Sequence, residues 1–257
     1  MDDVVMSEKT NIRIAKSNDL VEAAYRLTLN EQRLLLATLA RIDSRRGMQN
    51  FKFSITAKEF SELFEIELHT AYEALKDASK SLFERDIRTF DGRTRKRFRW
   101  VDRVSYVDGQ SRVELCFTIH VAPYLSQLHR NFTAYGLHQV RSLKSNYSIR
   151  LFEMLIQYRS TGWMQVEVDT FRERLMLEGT YARFDNLKAR VINPAVTELQ
   201  AKSNLMIQWR PIKKGRKIVS LRFDFQEQDQ GDLFKDSLEI LEAVADEESD
   251  VQKTVGT

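Results

Sequence analysis

One series of elements occurs twice in this 257-residue chain, about 111–112 positions apart, and no other feature restricts the fold so tightly. In the second half, Asn146 to Tyr158 places Ile149, Phe152, Leu155 and Ile156 on a helical stripe. MQVEV (164–168) then alternates like a strand. Asp169 or Thr170 can cap a short helix, with Glu173 completing a capping box from Thr170, and Glu178-Gly179-Thr180 turns the chain. A longer helix follows from about Tyr181 to Ala201, and WRPIKKGRKIVSLRFDF (209–225) reads as a hairpin turning at Gly215. The first half repeats the plan. Thr28 and Glu31 open the helix EQRLLLATLARI, FKFSI (51–55) alternates, and Thr56 with Glu59 caps AKEFSELFEI. A longer helix spans roughly Ala71 to Phe83, FDGRTRKRFRW turns between two strands, and RVELCFTI adds another. Phe60 then aligns with Phe171, and Leu75 with Leu187.

A short helix, a tight turn, a longer helix and a β-hairpin, in that order, make a winged helix, whose second helix enters a major groove while the hairpin touches backbone. The expected fold is therefore α+β: two tandem winged-helix domains related by internal duplication, with a flexible acidic C-terminal tail. A boundary near Arg130–Gln139 divides the chain into an N-terminal domain (1–133), a C-terminal domain (134–225) and a tail (226–257) that is disordered or partly helical.

Charge sharpens this reading. The net charge of +3 divides into about +11 for residues 1–225 and about −8 for the tail, and a basic body fits a polyanionic partner. On the second long helix, Phe184, Leu187, Val191 and Ala195 share the face expected to pack inward. Arg183, Asn186, Arg190, Asn193 and Thr197 gather opposite, a stripe without carboxylates. Arg pairs with guanine and Asn with adenine in a major groove, so Arg183, Asn186, Lys188 and Arg190 are the expected readers. Pro194 either kinks this helix or begins a new one capped by Asn193. The first long helix turns Tyr72, Glu73, Lys76 and Lys80 outward, a more mixed face and a weaker reader. Both hairpins are cationic, the second through Lys213, Lys214, Arg216 and Lys217, the first through Arg93, Arg95, Lys96, Arg97 and Arg99. Such cations position a protein on double-stranded DNA without reading its sequence.

Other functions lack their residues. No phosphate-binding Gly-Lys-Ser/Thr loop suggests ATP hydrolysis, and the four histidines form no His-x-His pair of the kind a metal-dependent nicking enzyme wants. No enzyme activity, cofactor or metal is expected. The single cysteine, Cys116, excludes an internal disulfide framework, fits a reducing cytoplasm and is expected in core packing. No apolar run approaches the roughly 20 residues of a membrane span, and no signal-peptide core opens the chain.

SNDLVEAAYRLTLNEQRLLL (17–36), HVAPYLSQLHRNFTAYGL (120–137), NYSIRLFEMLIQYR (146–159) and the KKGRK wing resemble the replication initiators (Rep proteins) of iteron-containing theta plasmids, typified by the initiator of the F plasmid. The resemblance runs from about Ile12 to Phe225. It implies monomers that bind direct repeats (iterons) at a plasmid origin, melt adjacent AT-rich DNA and help recruit the host initiator and helicase. It implies dimers, formed through the first domain, that repress their own promoter at an inverted repeat. It implies stronger base contacts for the second winged helix, here the one that carries Arg183, Lys188 and Arg190. Leu27, Leu29, Leu34, Leu35, Leu36 and Leu39 form a zipper-like segment in relatives, but two heptads cannot sustain a coiled coil and a core helix is expected. A dedicated dimeric repressor and a rolling-circle nicking initiator are the alternative functions. In the tail, QGDLF resembles the peptide by which bacterial proteins bind the sliding clamp, through Gln230, Asp232, Leu233 and Phe234, with Gly231 where that peptide usually has Leu. The same stretch also reads as an amphipathic helix through Phe234, Leu238, Leu241 and Ala245.

Overall fold

The computed structural model describes residues 12–228, apart from 47, 49, 91 and 108. The first repeat begins with β1 (Arg13–Ser17), α1 (Asn18–Glu22) and α2 (Leu29–Leu39). Thr28 caps α2 in a full capping box, its hydroxyl accepting the Glu31 N–H while Glu31 accepts the Thr28 N–H at 2.7 Å. Leu34, Leu35 and Leu36 are wholly buried, so this leucine-rich segment is a core helix, as its length requires. Next come β2 (Lys52–Thr56), α3 (Ala57–Phe64) and α4 (Leu68–Leu82). Thr56 and Glu59 form a second capping box. Thr56→Ala should therefore cost about 1 kcal/mol in urea unfolding, the usual loss of a helix cap.

Two hairpins follow α4. The first joins β3 (Asp86–Phe90) to β4 (Arg95–Arg99), and the second joins β5 (Val101–Val107) to β6 (Arg112–Phe117). Only the second belongs to the winged-helix sheet, ordered β2-β6-β5. The arginine-rich β3–β4 hairpin is a separate two-stranded sheet, not the expected first wing. The sequence reading erred because both hairpins follow the long helix, and only pairing with β2 distinguishes them. Cys116, on β6, is half-buried rather than in the core.

β7 (Phe132–Gly136) pairs along its length with β1, so the division expected after residue 133 falls inside a paired strand. The second repeat then runs α5 (Asn146–Ile156), β8 (Trp163–Glu167), α6 (Val168–Arg174), α7 (Phe184–Leu187), a π turn (Lys188–Ile192), α8 (Asn193–Lys202), β9 (Leu205–Lys214) and β10 (Lys217–Glu227). Its sheet order, β8-β10-β9, reproduces β2-β6-β5. The turns after α3 and α6 repeat as well. Glu65 (φ 53°) and Met176 (φ 49°), 111 positions apart, both adopt the left-handed conformation that redirects the chain into the longer helix.

Three local expectations change. The helix α6 starts directly from the strand at Val168, so neither Asp169 nor Thr170 caps it, and Asp169 instead lies in the first turn, where the helix dipole favours it. Pro194 does not break the long helix. The π turn before it closes on a bond from the Asn193 N–H to the Lys188 carbonyl, and Pro194, lacking an N–H, sits in the first turn of α8. Strand β10 continues to Glu227, past the point where the tail was expected to begin.

The stripe on α5 is only part of its burial, because every residue from Ser148 to Ile156 is buried. Its polar members have dedicated partners. Glu153, fully enclosed, accepts from Lys16 Nζ at 2.6 Å and from the Tyr135 hydroxyl at 2.6 Å. Arg150 donates to the carbonyls of Val21 (3.0 Å) and Ala23 (2.9 Å) at the end of α1, and to that of Arg174 (3.5 Å) at the end of α6. Ser148 and the Lys144 N–H bind Glu198 of α8 at 2.6 and 2.7 Å. One helix thus ties the N-terminal strand of the first repeat to both helices of the second helix-turn-helix.

Candidate nucleic-acid interface

The long helix of the second repeat packs Leu187, Val191, Ala195 and Leu199 inward, each at most 2% exposed. Arg183, Asn186, Lys188 and Arg190 are all exposed on its other side, together with Asn193 and Thr197. None of Arg183, Lys188 and Arg190 makes an ion pair with a carboxylate among the described residues. Asn193 is engaged elsewhere, its side-chain oxygen accepting the Trp209 indole N–H from β9 at 3.2 Å. Beside this helix, β9 and β10 project the wing. Gly215, at φ 62°, makes a turn that a side chain would strain, and Lys213, Lys214, Arg216 and Lys217 flank it, all exposed. These four also lack ion-pair partners among the described residues. Bare like charges side by side repel one another, so such a tip is arranged for an external anion rather than for stability.

In the first repeat the long helix α4 buries Ala71, Leu75, Ala78 and Leu82. Lys80 is exposed, and Lys76, half-buried, stands over the rings of Tyr72 and Tyr106 at 5.9 and 5.6 Å. The structural wing, the β5–β6 connection, contains Gly109, Gln110 and Ser111 and carries no basic residue until Arg112. The basic hairpin lies elsewhere. It forms one wall of a cleft of about 690 Å³, with Arg95, Lys96 and Arg97 facing Glu22, Glu173 and Glu178. Several of its cations are already paired: Arg97 with Asp86, Arg95 with Glu173 at 3.8 Å, and Arg99 with Glu84 at 3.1 Å. The structure therefore leaves the expected second-repeat residues exposed and sets Arg93, Arg95, Lys96 and Arg97 apart from the first wing. Sequence reasoning missed this pairing because the carboxylates come from α6 and β3, distant or alternate positions that no local pattern connects.

No group of three or more His, Cys, Asp or Glu side chains among the described residues could hold a metal ion, and no helix among them is long and apolar enough to cross a membrane. The tail residues Gln230, Asp232, Leu233 and Phe234 lie outside the described residues.

The chain is similar to a replication initiation protein of Escherichia coli, with 28% identity over 230 residues, covering 86% of this chain and 71% of that protein. It is also similar to the PI protein of Escherichia coli, at 26% identity over 259 residues, covering 86% of this chain and 85% of that one. A crystal structure of the Pi initiator protein in complex with iteron DNA shares the fold, with a TM-score of 0.75 and 24% identity, covering 86% of this chain and 99% of that one. Residues 13–156 match the family described as Initiator Replication protein, WH1, and residues 167–225 the one described as Initiator Rep protein, WH2. With both winged helices matched in order, and with the long helix and wing that the fold builds in its second half, this chain belongs to the initiator Rep protein family.

Proposed function

We propose that this protein binds directly repeated sites at a plasmid origin, with both winged helices on one face of double-stranded DNA, and that the second winged helix reads the sequence. The observation that carries this is the contrast in charge pairing. The cations of the second long helix and wing have no carboxylate partners among the described residues, whereas Arg95, Arg97 and Arg99 of the β3–β4 hairpin do. Arg183, Asn186, Lys188 and Arg190 supply base and phosphate contacts, and Lys213, Lys214, Arg216 and Lys217 hold backbone. Lys76 and Lys80 make a weaker second set. In the β3–β4 hairpin, which also carries Arg93 and Lys96, Arg95 and Arg97 add phosphate contacts only by exchanging Glu173 and Asp86 for DNA. The family relationship extends the proposal to opening of the origin, recruitment of the host initiator and replicative helicase, and repression of its own promoter by a homodimer, all in the cytoplasm and without enzymatic chemistry. Sliding-clamp binding through Gln230, Asp232, Leu233 and Phe234 is a separate part of it.

Selection of bound duplexes from a random pool tests the reading. An asymmetric site spanning two successive major grooves is the expected product. Recovery of palindromes alone would favour a dedicated repressor. Within the selected site, Arg190→Ala should relax one base position and cost about 1–3 kcal/mol of binding, the value of a bidentate guanine contact. Unchanged base preference would remove Arg190 from the reading face.

A further inference from the structure

In each domain one lysine of the reading helix stands over an aromatic ring from the outer strand of the wing. Lys188 Nζ lies 5.9 Å from the ring centroid of Trp209 on β9. Lys76 Nζ lies 5.6 Å from that of Tyr106 on β5. The two lysines are 112 positions apart, the separation of the aligned core residues Leu75 and Leu187. Strands β5 and β9 occupy the same place in their sheets. The rings differ in type, so the repeated feature is the contact rather than a residue. Both rings are themselves held. Trp209 stacks on Phe223 at 6.2 Å, and Tyr106 meets Tyr72 edge-on at 5.8 Å.

Two physical consequences follow. A lysine drawn to a fixed ring face by the ring quadrupole samples fewer rotamers before it meets a ligand, so less freedom is lost on binding. The second concerns Asn193. An indole N–H only donates, so the Asn193 atom facing Trp209 must be its carbonyl oxygen, at 3.2 Å. That leaves the amide NH₂ for an external partner. Reading adenine requires both the oxygen and the nitrogen of an Asn side chain, one accepting from N6 and the other donating to N7. The Asn193 oxygen keeps a second lone pair for such a contact, but its bond to the fixed indole sets the orientation in which the whole amide is presented.

We infer that Trp209 and Tyr106 are positioning residues for DNA recognition: each presets a reading-helix lysine at the junction of helix and wing, and Trp209 also fixes the orientation of the Asn193 amide. This rests on the proposed reading of DNA by the two long helices. The test is duplex selection with the unaltered chain, with Trp209→Phe, which keeps a ring over Phe223 but loses the donor, and with Tyr106→Leu. Trp209→Phe should shift preferences by about two- to fivefold at base pairs under the second domain only, including the one that Asn193 faces. Tyr106→Leu should shift only those under the first. Adding Lys188→Met to Trp209→Phe should change the lysine-contacted position less than Lys188→Met does alone in the unaltered chain. If the unaltered chain selects a site and Trp209→Phe selects the same one, position by position, the inference fails while the reading of DNA stands. Loss of preference spread evenly over both halves also overturns it, since that is general damage. Enrichment of no sequence by the unaltered chain overturns both.

Discussion

Replacing Glu153 by alanine should cost about 3–5 kcal/mol of folding stability, because it strands a buried cation. Lys16 and Glu153 are both wholly enclosed and 2.6 Å apart. Removing the carboxylate leaves the ammonium without water or counter-ion, and Arg150 and the hydroxyls of Tyr25 and Tyr135 lose the same partner. The loss exceeds the net worth of the pair, since replacing both members by apolar residues of similar volume is often neutral. Lys16→Met with Glu153→Met should therefore recover most of the stability lost in Glu153→Ala, as read from urea midpoints. Acid supplies an independent check. Burial opposes the charged form of Glu153, but Lys16 and Arg150 outweigh it, and the carboxyl titrates below its ordinary value of 4.5. A lowered folded-state value makes its contribution complete above about pH 4.5 and progressively lost as the pH falls through the lower folded-state value. Glu153→Gln should remove that part of the acid sensitivity. Unaltered acid unfolding in Glu153→Gln would show that the pair does not govern this range.

The second large effect concerns affinity. With Lys213, Lys214, Arg216 and Lys217 all replaced by alanine, the slope of log Kobs against log salt should flatten by about 3.6, or about 0.9 for each phosphate contact. Near 0.1 M salt this amounts to roughly three orders of magnitude in affinity, shrinking toward zero at 1 M. Base preference should persist, since phosphate contacts carry no sequence information. Folding stability should hardly change, because these exposed side chains form no ion pairs among the described residues. The same treatment of Arg95 and Arg97 should flatten the slope less, as Glu173 and Asp86 already neutralise them. An unchanged slope in the four-residue variant would mean the wing stays clear of the backbone.

What the sequence discloses here is what neighbouring residues settle. The boxes at Thr28 and Thr56 were legible because cap and partner stand three residues apart, as were the leucines of α2, whose density leaves no polar face. The exposed face carrying Arg183, Asn186, Lys188 and Arg190 was legible from helical spacing and the lack of carboxylates. The enclosure of α5 was not, since the partners of Arg150 and Glu153 lie up to 137 positions away and include a lysine that reads as a surface residue. Nor could spacing separate the two hairpins after α4, where the pairing of β6 with β2 decides which is the wing. The capture of Asn193 by Trp209 was hidden for the same reason, because a strand partner sixteen residues on leaves no trace in a helical wheel.

In the first repeat, buried Leu75 and Leu82 are seven residues apart, close to two full turns. Their counterparts Leu187 and Ala195 are eight apart, which in an unbroken α-helix would leave them about 80° out of line. The widened turn at Lys188–Ile192 absorbs the extra residue and restores the alignment. Its surplus appears on the outside, where Lys188, Ala189 and Arg190 are three consecutive exposed positions between buried Leu187 and Val191, against two positions, half-buried Lys76 and exposed Asp77, between Leu75 and Ala78. The two copies thus differ by one residue in the outward stretch of this helix, with the buried positions beneath it kept in register. Deleting Ala189 would return that helix to the geometry of its twin and draw Lys188 and Arg190 together, so the two halves of the molecule differ in reach by the length of a single codon.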